Sequence, residues 1–146
     1  MLYRPSRLVF GAAALLLLGA CASSAMRETD EQVRDRYNAY AGEPIDHFTW
    51  LGRYDSWEPI GRHDLVIKTN VSEAYLLKVG PPCDNLPFKE RIALSSSGST
   101  VYARTDAVLS GGWRCPIEEI RKVDYPRMRA DMRLASQKAK DASQSQ

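Results

Sequence analysis

The sequence has few of the residues on which catalytic and metal sites depend. Among its 146 residues are two histidines, His47 and His63, and three cysteines, none of them in a C-x-x-C pair. The G-x-S-x-G motif of many serine hydrolases is absent, and no Lys-Ser or Lys-Thr follows Gly111-Gly112 to make a phosphate-binding loop. We therefore expect no catalytic residues, no metal site and no cofactor, and we expect that the protein is not an enzyme.

The chain also has little net charge. Its excess of two positive charges comes entirely from Arg4 and Arg7, because the other 18 basic side chains equal the 18 acidic ones in number. A neutral domain has no overall electrostatic field to attract phosphate groups. We therefore expect no nucleic-acid partner.

Long apolar runs are missing except at the N-terminus. Residues 8–18 carry no charge and follow Arg4 and Arg7. As a helix, this run would span about 16 Å, whereas the hydrocarbon core of a bilayer is about 30 Å thick. The pattern is typical of an export signal and not of a membrane span. Residues 1–20 are therefore predicted to be a cleaved signal peptide.

The end of this run, the sequence LGAC with Cys21 as its last residue, resembles the lipobox of bacterial lipoproteins. The resemblance implies that Cys21 becomes the first residue of the mature protein and carries two or three acyl chains such as palmitate, since a single chain anchors only marginally. Ala22 stands where an Asp often retains lipoproteins in the inner membrane. The expected location is therefore the outer membrane, facing the periplasm. The alternative is an ordinary signal peptide that is cut after Ala25.

Residues 44–124 are predicted to form the main domain. Short β-prone runs recur there with turn residues roughly every 8 to 12 positions, which favours a mainly β fold, a small antiparallel sandwich or barrel. The serine-rich residues 96–99 are interpreted as a hairpin loop between two such runs. The last run, residues 113–123, is predicted to be a strand with a bulge before Ile120.

Short helices are predicted on both sides of this β domain. In residues 21–43 a tether precedes a short helix, for which Thr29 and Gln32 have the spacing of a capping box. In residues 125–146 a C-terminal helix begins and then frays from Ser136, where Lys, Ser, Gln and Ala dominate the sequence.

A series of residues between about Tyr40 and Asp124 matches a known family in its order. The matching residues are Ala41-Gly42-Glu43-Pro44-Ile45, Phe48, Trp57, Asp64-Leu65-Val66-Ile67, Ala74-Tyr75-Leu76-Leu77, Cys83, Leu86, Asp106, Val108, Cys115, Ile117, Ile120 and Arg121. With them the chain resembles a family of small Gram-negative envelope lipoproteins that is catalogued only as a domain of unknown function. The resemblance implies an exported, mainly β domain with a paired cysteine, and it implies no known activity, substrate or cofactor.

Cys83 and Cys115 are the two cysteines that remain if Cys21 carries lipid. Two cysteines in an oxidising envelope usually pair. Closing a loop of this length would stabilise the fold by about 3.7 kcal/mol in the chain-entropy model. A metal site or a redox pair is the alternative, although no histidine lies within a few residues of either cysteine. We expect a structural disulfide.

A candidate binding loop contains Trp50, Arg53, Tyr54 and Trp57. This stretch is rich in aromatic residues, resembles a loop and carries charge, as binding loops often do. The alternative is that the aromatic side chains pack in the core, which is common in small β domains.

The function most consistent with the sequence is that of a membrane-anchored, non-enzymatic binding or structural module of the cell envelope. Its expected partners are the membrane, through the lipid on Cys21, and another envelope protein or a glycan. One alternative is a periplasmic carrier of a small apolar ligand, which would need an apolar cavity of several hundred cubic ångströms. A second alternative is a cell-envelope hydrolase, for which the sequence offers no nucleophile.

The lipobox resemblance predicts that Cys21→Ser abolishes acylation, because the serine hydroxyl does not replace the thiol that receives the diacylglyceryl group. The variant should no longer float with membranes, whereas the wild type should. Mass spectrometry of the N-terminal peptide checks this directly. A wild-type protein that begins, unmodified, at Met26 would contradict the prediction.

Overall fold

The central element of the fold is the strand Trp113–Val123. The structure is a computed structural model, and it describes residues 28–83, 86 and 90–145. Within those residues the chain forms two helices and nine strands, and it is mainly β, as predicted. In chain order they are α1 (Asp30–Tyr40), β1 (Ala41–Ile45), β2 (His47–Thr49), β3 (Ser56–Pro59), β4 (Asp64–Lys68), β5 (Ala74–Val79), β6 (Ala93–Leu94), β7 (Thr100–Tyr102), β8 (Ala107–Ser110), β9 (Trp113–Val123) and α2 (Tyr125–Gln144).

The strands form one curled antiparallel sheet, a half-barrel, and a separate two-stranded pair. The sheet order is β3-β4-β5-β9-β8-β6, and β1 also pairs with β9, while β2 pairs with β7. Strand β9 is long enough to pair with three other strands. It pairs with β5 along one side, and on the other side β8 pairs with its first half and β1 with its second half.

The β structure begins earlier than the sequence predicted. The β domain was expected to start at residue 44, but β1 begins at Ala41, directly after α1 ends at Tyr40, and it contains Gly42 and Pro44. Proline is tolerated in β1 because this short strand lies at an edge, where a missing N–H donor breaks no ladder. Arg121 on β9 holds the junction: its Nε donates to the Gly42 carbonyl at 2.8 Å, and its Nη1 donates to Asn38 Oδ1 at 3.0 Å.

Both faces of the central strands are buried, because successive side chains of a strand point to opposite faces. On one face, Leu65 and Ile67 of β4 belong to the larger core. On the other face, Val66 packs in a second core, where α1 and the start of α2 contribute Tyr37 and Met128. The larger core contains Phe48, Trp50, Leu65, Ile67, Tyr75, Leu77, Val79, Cys83, Leu86, Ile92, Leu94, Val101, Val108, Cys115, Ile117 and Ile120.

The predicted bulge in the last strand is confirmed. Lys78 of β5 lies opposite Glu119, but the next residue, Val79, lies opposite Ile117, so Glu118 is the extra residue. Without this bulge, Ile117 and Ile120 would point to opposite faces. With it, both are fully buried in the larger core.

The predicted hairpin around residues 96–99 is wrong. A tight turn is present, with the Ser97 N–H donating to the Thr100 carbonyl at 2.9 Å, but the flanking strands do not pair with each other. Strand β6 pairs with β8 and β7 pairs with β2. This pairing lets β2 and β7 bury Phe48 and Val101 in the larger core, and that burial outweighs the local connection.

The C-terminal helix is longer than the short helix and frayed tail that the sequence predicted. Asp124 caps it through its side chain, which accepts from the Arg127 N–H, and Pro126 lies in its first turn. The helix continues from Ser136 to Gln144. Alanine, lysine and glutamine are good helix formers, which accounts for the extension. Within the described residues, no helix is long and apolar enough to cross a membrane.

The predicted pairing of Cys83 with Cys115 is confirmed. The two residues form a disulfide with a Cα–Cα distance of 5.6 Å, and both are buried in the larger core. Cys83 lies in the segment after β5, and Cys115 lies on β9. The bond therefore ties an irregular segment to the central strand.

Because of this bond, Cys83→Ala or Cys115→Ala should lower the free energy of unfolding by about 2–5 kcal/mol. Denaturant unfolding measures the change. Reduced wild-type protein is the matched control, since it loses the bond but keeps both side chains, and it should be destabilised to a similar degree. If both cysteines of unreduced, denatured protein react with a thiol reagent, the bond does not exist in the cell.

Candidate functional site

The predicted binding loop is held mainly by its aromatic side chains. Trp50 is only 6% exposed and its ring stacks on Tyr54 at a centroid distance of 6.2 Å. The Tyr54 hydroxyl donates to the Ile92 carbonyl at 2.9 Å, and Trp57 packs, half-buried, against the same core. Of the four predicted residues only Arg53 is exposed. The core alternative therefore describes the three aromatic residues.

A groove of about 600 Å³ lies where α1, β1 and α2 meet. Four charged residues line it, but their groups are mostly engaged within the fold. Lys122 Nζ lies 3.5 Å from Glu73 Oε1, and Asp124 caps α2. Arg127 Nε lies 4.0 Å from Asp131. These charges stabilise the junction of the helices with the sheet, and they leave little unpaired charge for a ligand.

A second groove, of about 470 Å³, lies at the end of the β8–β9 hairpin. The turn between the strands is Gly111-Gly112, and both glycines have positive φ, a conformation that favours glycine. Directly after the turn, Trp113 is 53% exposed. The lining residues of this groove are Arg91, Ile92, Ala93, Leu109, Ser110, Gly111, Gly112, Trp113 and Arg114.

The strand register arranges one face of this groove. Ala93, Leu109 and Arg114 lie opposite one another on β6, β8 and β9, so their side chains share a face of the sheet. The segment before β6 is held in place because the Ser110 hydroxyl donates to the Arg91 carbonyl at 3.2 Å. The groove thus has a small apolar face with an arginine on each side.

The sequence prediction missed this groove. Residue 113 was predicted as the start of the last strand, and Gly111-Gly112 was considered as a phosphate-binding loop, which the sequence excluded. The available signal was a tryptophan and an arginine directly after a Gly-Gly turn, a place where side chains reach solvent. Sequence alone does not bring Arg91 to this turn, because that needs the pairing of β6 with β8.

The buried polar groups near this groove support the fold. Asp106 is 5% exposed; its Oδ1 accepts from the Ser95 hydroxyl at 2.8 Å and its Oδ2 accepts from the Tyr102 N–H at 2.9 Å. The same hydroxyl of Ser95 accepts from the Ala107 N–H. Each polar atom of this network has a structural partner, so the network joins β6, β7 and β8.

The two histidines occupy different elements. His47 lies on β2, and its ring centroid is 5.3 Å from that of Tyr102. His63 precedes β4, and its carbonyl accepts from the Val79 N–H. In the described part of the chain, no group of three or more His, Cys, Asp or Glu side chains is arranged to hold a metal ion.

Shifted pKa values are found among tyrosines on the two faces of the sheet. Burial, together with the charge of the Glu58 carboxylate and a hydrogen bond to it, raises the pKa of Tyr37 far above its usual value. A hydrogen bond to Asp131 raises the pKa of Tyr40, and burial raises that of Tyr75. All three shifts favour the protonated phenol, so these hydroxyls remain hydrogen-bond donors at neutral pH.

Comparison with known proteins places the chain in a family. Residues 4–143 match the model of the family described as "Family of unknown function (DUF6491)", and the chain belongs to that family. The predicted resemblance to a domain of unknown function is thereby confirmed. No match was found among curated proteins or among solved structures. The predicted lipidation site, Cys21, lies outside the described residues.

The packing of the predicted loop has a measurable consequence. Trp50→Ala should lower the free energy of unfolding by about 3–5 kcal/mol, because it removes a buried ring from the larger core. Leu51→Ala and Arg53→Ala are matched controls in the same loop. Each should change the free energy of unfolding by about 0.5 kcal/mol or less, since both side chains are exposed. Chemical denaturation of the three variants checks this. A Trp50→Ala protein as stable as the wild type would show that the ring does not support the core.

Proposed function

We propose that this protein is a lipoprotein of the cell envelope, anchored through acyl chains on Cys21, and that its β domain is a non-enzymatic binding module. The observation that carries the proposal is the buried disulfide between Cys83 and Cys115. Disulfides persist in oxidising compartments such as the bacterial periplasm. The signal-like residues 1–20 and the lipobox-like sequence before Cys21 support the same location.

The packing of the domain supports a binding module over a carrier of apolar ligands. A carrier needs an enclosed apolar cavity. The larger core on one face of the sheet is instead filled by side chains, including Phe48 stacked on Tyr75 at a centroid distance of 4.4 Å. Binding would then take place on the outer surface, where an exposed tryptophan is a common anchor for a partner.

The proposed binding surface is the groove at the β8–β9 turn, around Trp113. We propose as partners another envelope protein or a glycan, in addition to the membrane, and we propose no nucleic acid and no cofactor. The anchored protein would lie on the periplasmic face of the outer membrane, the location that Ala22 after the lipidated cysteine favours.

In-cell crosslinking tests this proposal. A photoreactive residue in place of Trp113 should give a crosslinked product with an envelope component in intact cells. The matched control is the same residue in place of Val71, which is 77% exposed and lies at the opposite end of the sheet, since Ala74 after it pairs with Val123 at the far end of β9. No product from position 113, or the same products from both positions, would contradict the proposal.

A further inference from the structure

The two arginines of the β8–β9 groove carry charges that no described carboxylate neutralises. Among the residues that the structure describes, no carboxylate forms an ion pair with the guanidinium of Arg91 or of Arg114. The contact found for Arg114 is with a neutral group, the Ser95 hydroxyl, at 3.5 Å from its Nη2. The described residues that line the groove include no aspartate or glutamate. The charge of this lining is therefore positive and available to an anion.

Arginine favours anions with paired oxygens. A guanidinium presents donors in a planar fork that matches two oxygens of a carboxylate or of a phosphate, and such charge-assisted pairs are among the stronger hydrogen bonds of proteins. Two arginines on opposite sides of one groove fit a ligand that carries carboxylates at more than one point along its length.

Trp113 adds a flat apolar surface. Its ring is more than half exposed, and it follows a turn in which two glycines adopt positive φ. Aromatic side chains combine a large rigid contact area with a low entropic cost of ordering. The C–H face of a sugar ring is a flat surface of the same kind, and its hydroxyl groups remain free to contact solvent and backbone.

We propose that this groove binds a carboxylate-bearing saccharide of the cell wall, with a sugar ring on Trp113 and carboxylates at Arg91 and Arg114. The volume of about 470 Å³ lies within the range of small-ligand sites, about 300–1,000 Å³, and suits a short segment of glycan. An anionic membrane surface fits less well, because a flat membrane would need a wide basic face on the protein. Here the exposed Glu90 adjoins Arg91, so the basic face is not wide. The inference rests on the proposed function and names its partner.

A binding titration tests the inference with purified full-length protein in detergent. The probes are soluble cell-wall fragments, disaccharides that carry peptide carboxylates, and uncharged N-acetylglucosamine oligosaccharides of similar length. The charged fragments should bind at least about tenfold more tightly than the neutral ones, since the groove selects by charge. Trp113→Ala and the double variant Arg91→Ala with Arg114→Ala should each weaken binding by about tenfold or more.

A double variant of two exposed arginines on α2, Arg129→Ala with Arg133→Ala, is the matched control, and it should bind as the wild type does. Thermal unfolding of every variant should be unchanged, because the replaced side chains are exposed. Equal binding by wild type and by the Arg91 and Arg114 double variant would overturn the inference.

Two further outcomes would also overturn it. One is equal affinity for the charged and the neutral saccharides. The other is binding to phosphatidylglycerol vesicles that depends on Arg91 and Arg114, without binding to the cell-wall fragments. If crosslinking from position 113 captures an envelope protein and the fragments do not bind, the proposed function stands and the saccharide does not.

Discussion

Strand β9 supplies hydrogen bonds to three other strands, and the two cores of the protein depend on it. Its pairing with β5 continues the sheet toward β4 and β3, while β8 and β1 share its other side. Because side chains alternate along it, the same strand contributes Ile120 to the larger core and Val123 to the second core. The bulge at Glu118 sets which residues face each way.

Side-chain and covalent bonds hold the less regular parts of the chain to this strand. The disulfide at Cys115 secures the segment after β5, and the Arg121 guanidinium secures the junction of α1 with β1. The β8–β9 turn leads directly into β9, whose first residue is Trp113. The proposed binding groove is therefore built on the most connected element of the fold, which favours a fixed geometry for binding.

Much of the fold could be predicted because the local signals agreed with the final packing. The capping box at Thr29 and Gln32 marks the start of α1, and it forms as expected. The apolar runs that became β4 and β5 are short and bounded by turn residues, which is typical of strands with two buried faces. The pairing of Cys83 with Cys115 followed from the expectation that Cys21 carries lipid, which leaves each of the two one partner.

Other features depend on tertiary contacts that a single sequence does not reveal. Strand β1 contains Gly42 and Pro44, which resemble a helix stop, and it forms because β9 offers a free edge. The alternation of side chains along a strand also does not reveal whether a given tryptophan is buried in the core or exposed to solvent. Trp50 was expected in a binding loop and is buried, whereas Trp113 is exposed beside an arginine brought there by the pairing of β6 with β8.

Native-state hydrogen exchange tests the central role of β9 most directly. Amides in the core of a domain exchange only through global unfolding, whereas weakly packed segments open locally. We expect the amides of β9 and β5 to exchange together, with the free energy of global unfolding. Amides of α2 beyond Met132, where all side chains are exposed, should exchange much faster. Amides of β9 that exchange as fast as those of α2 would contradict the account.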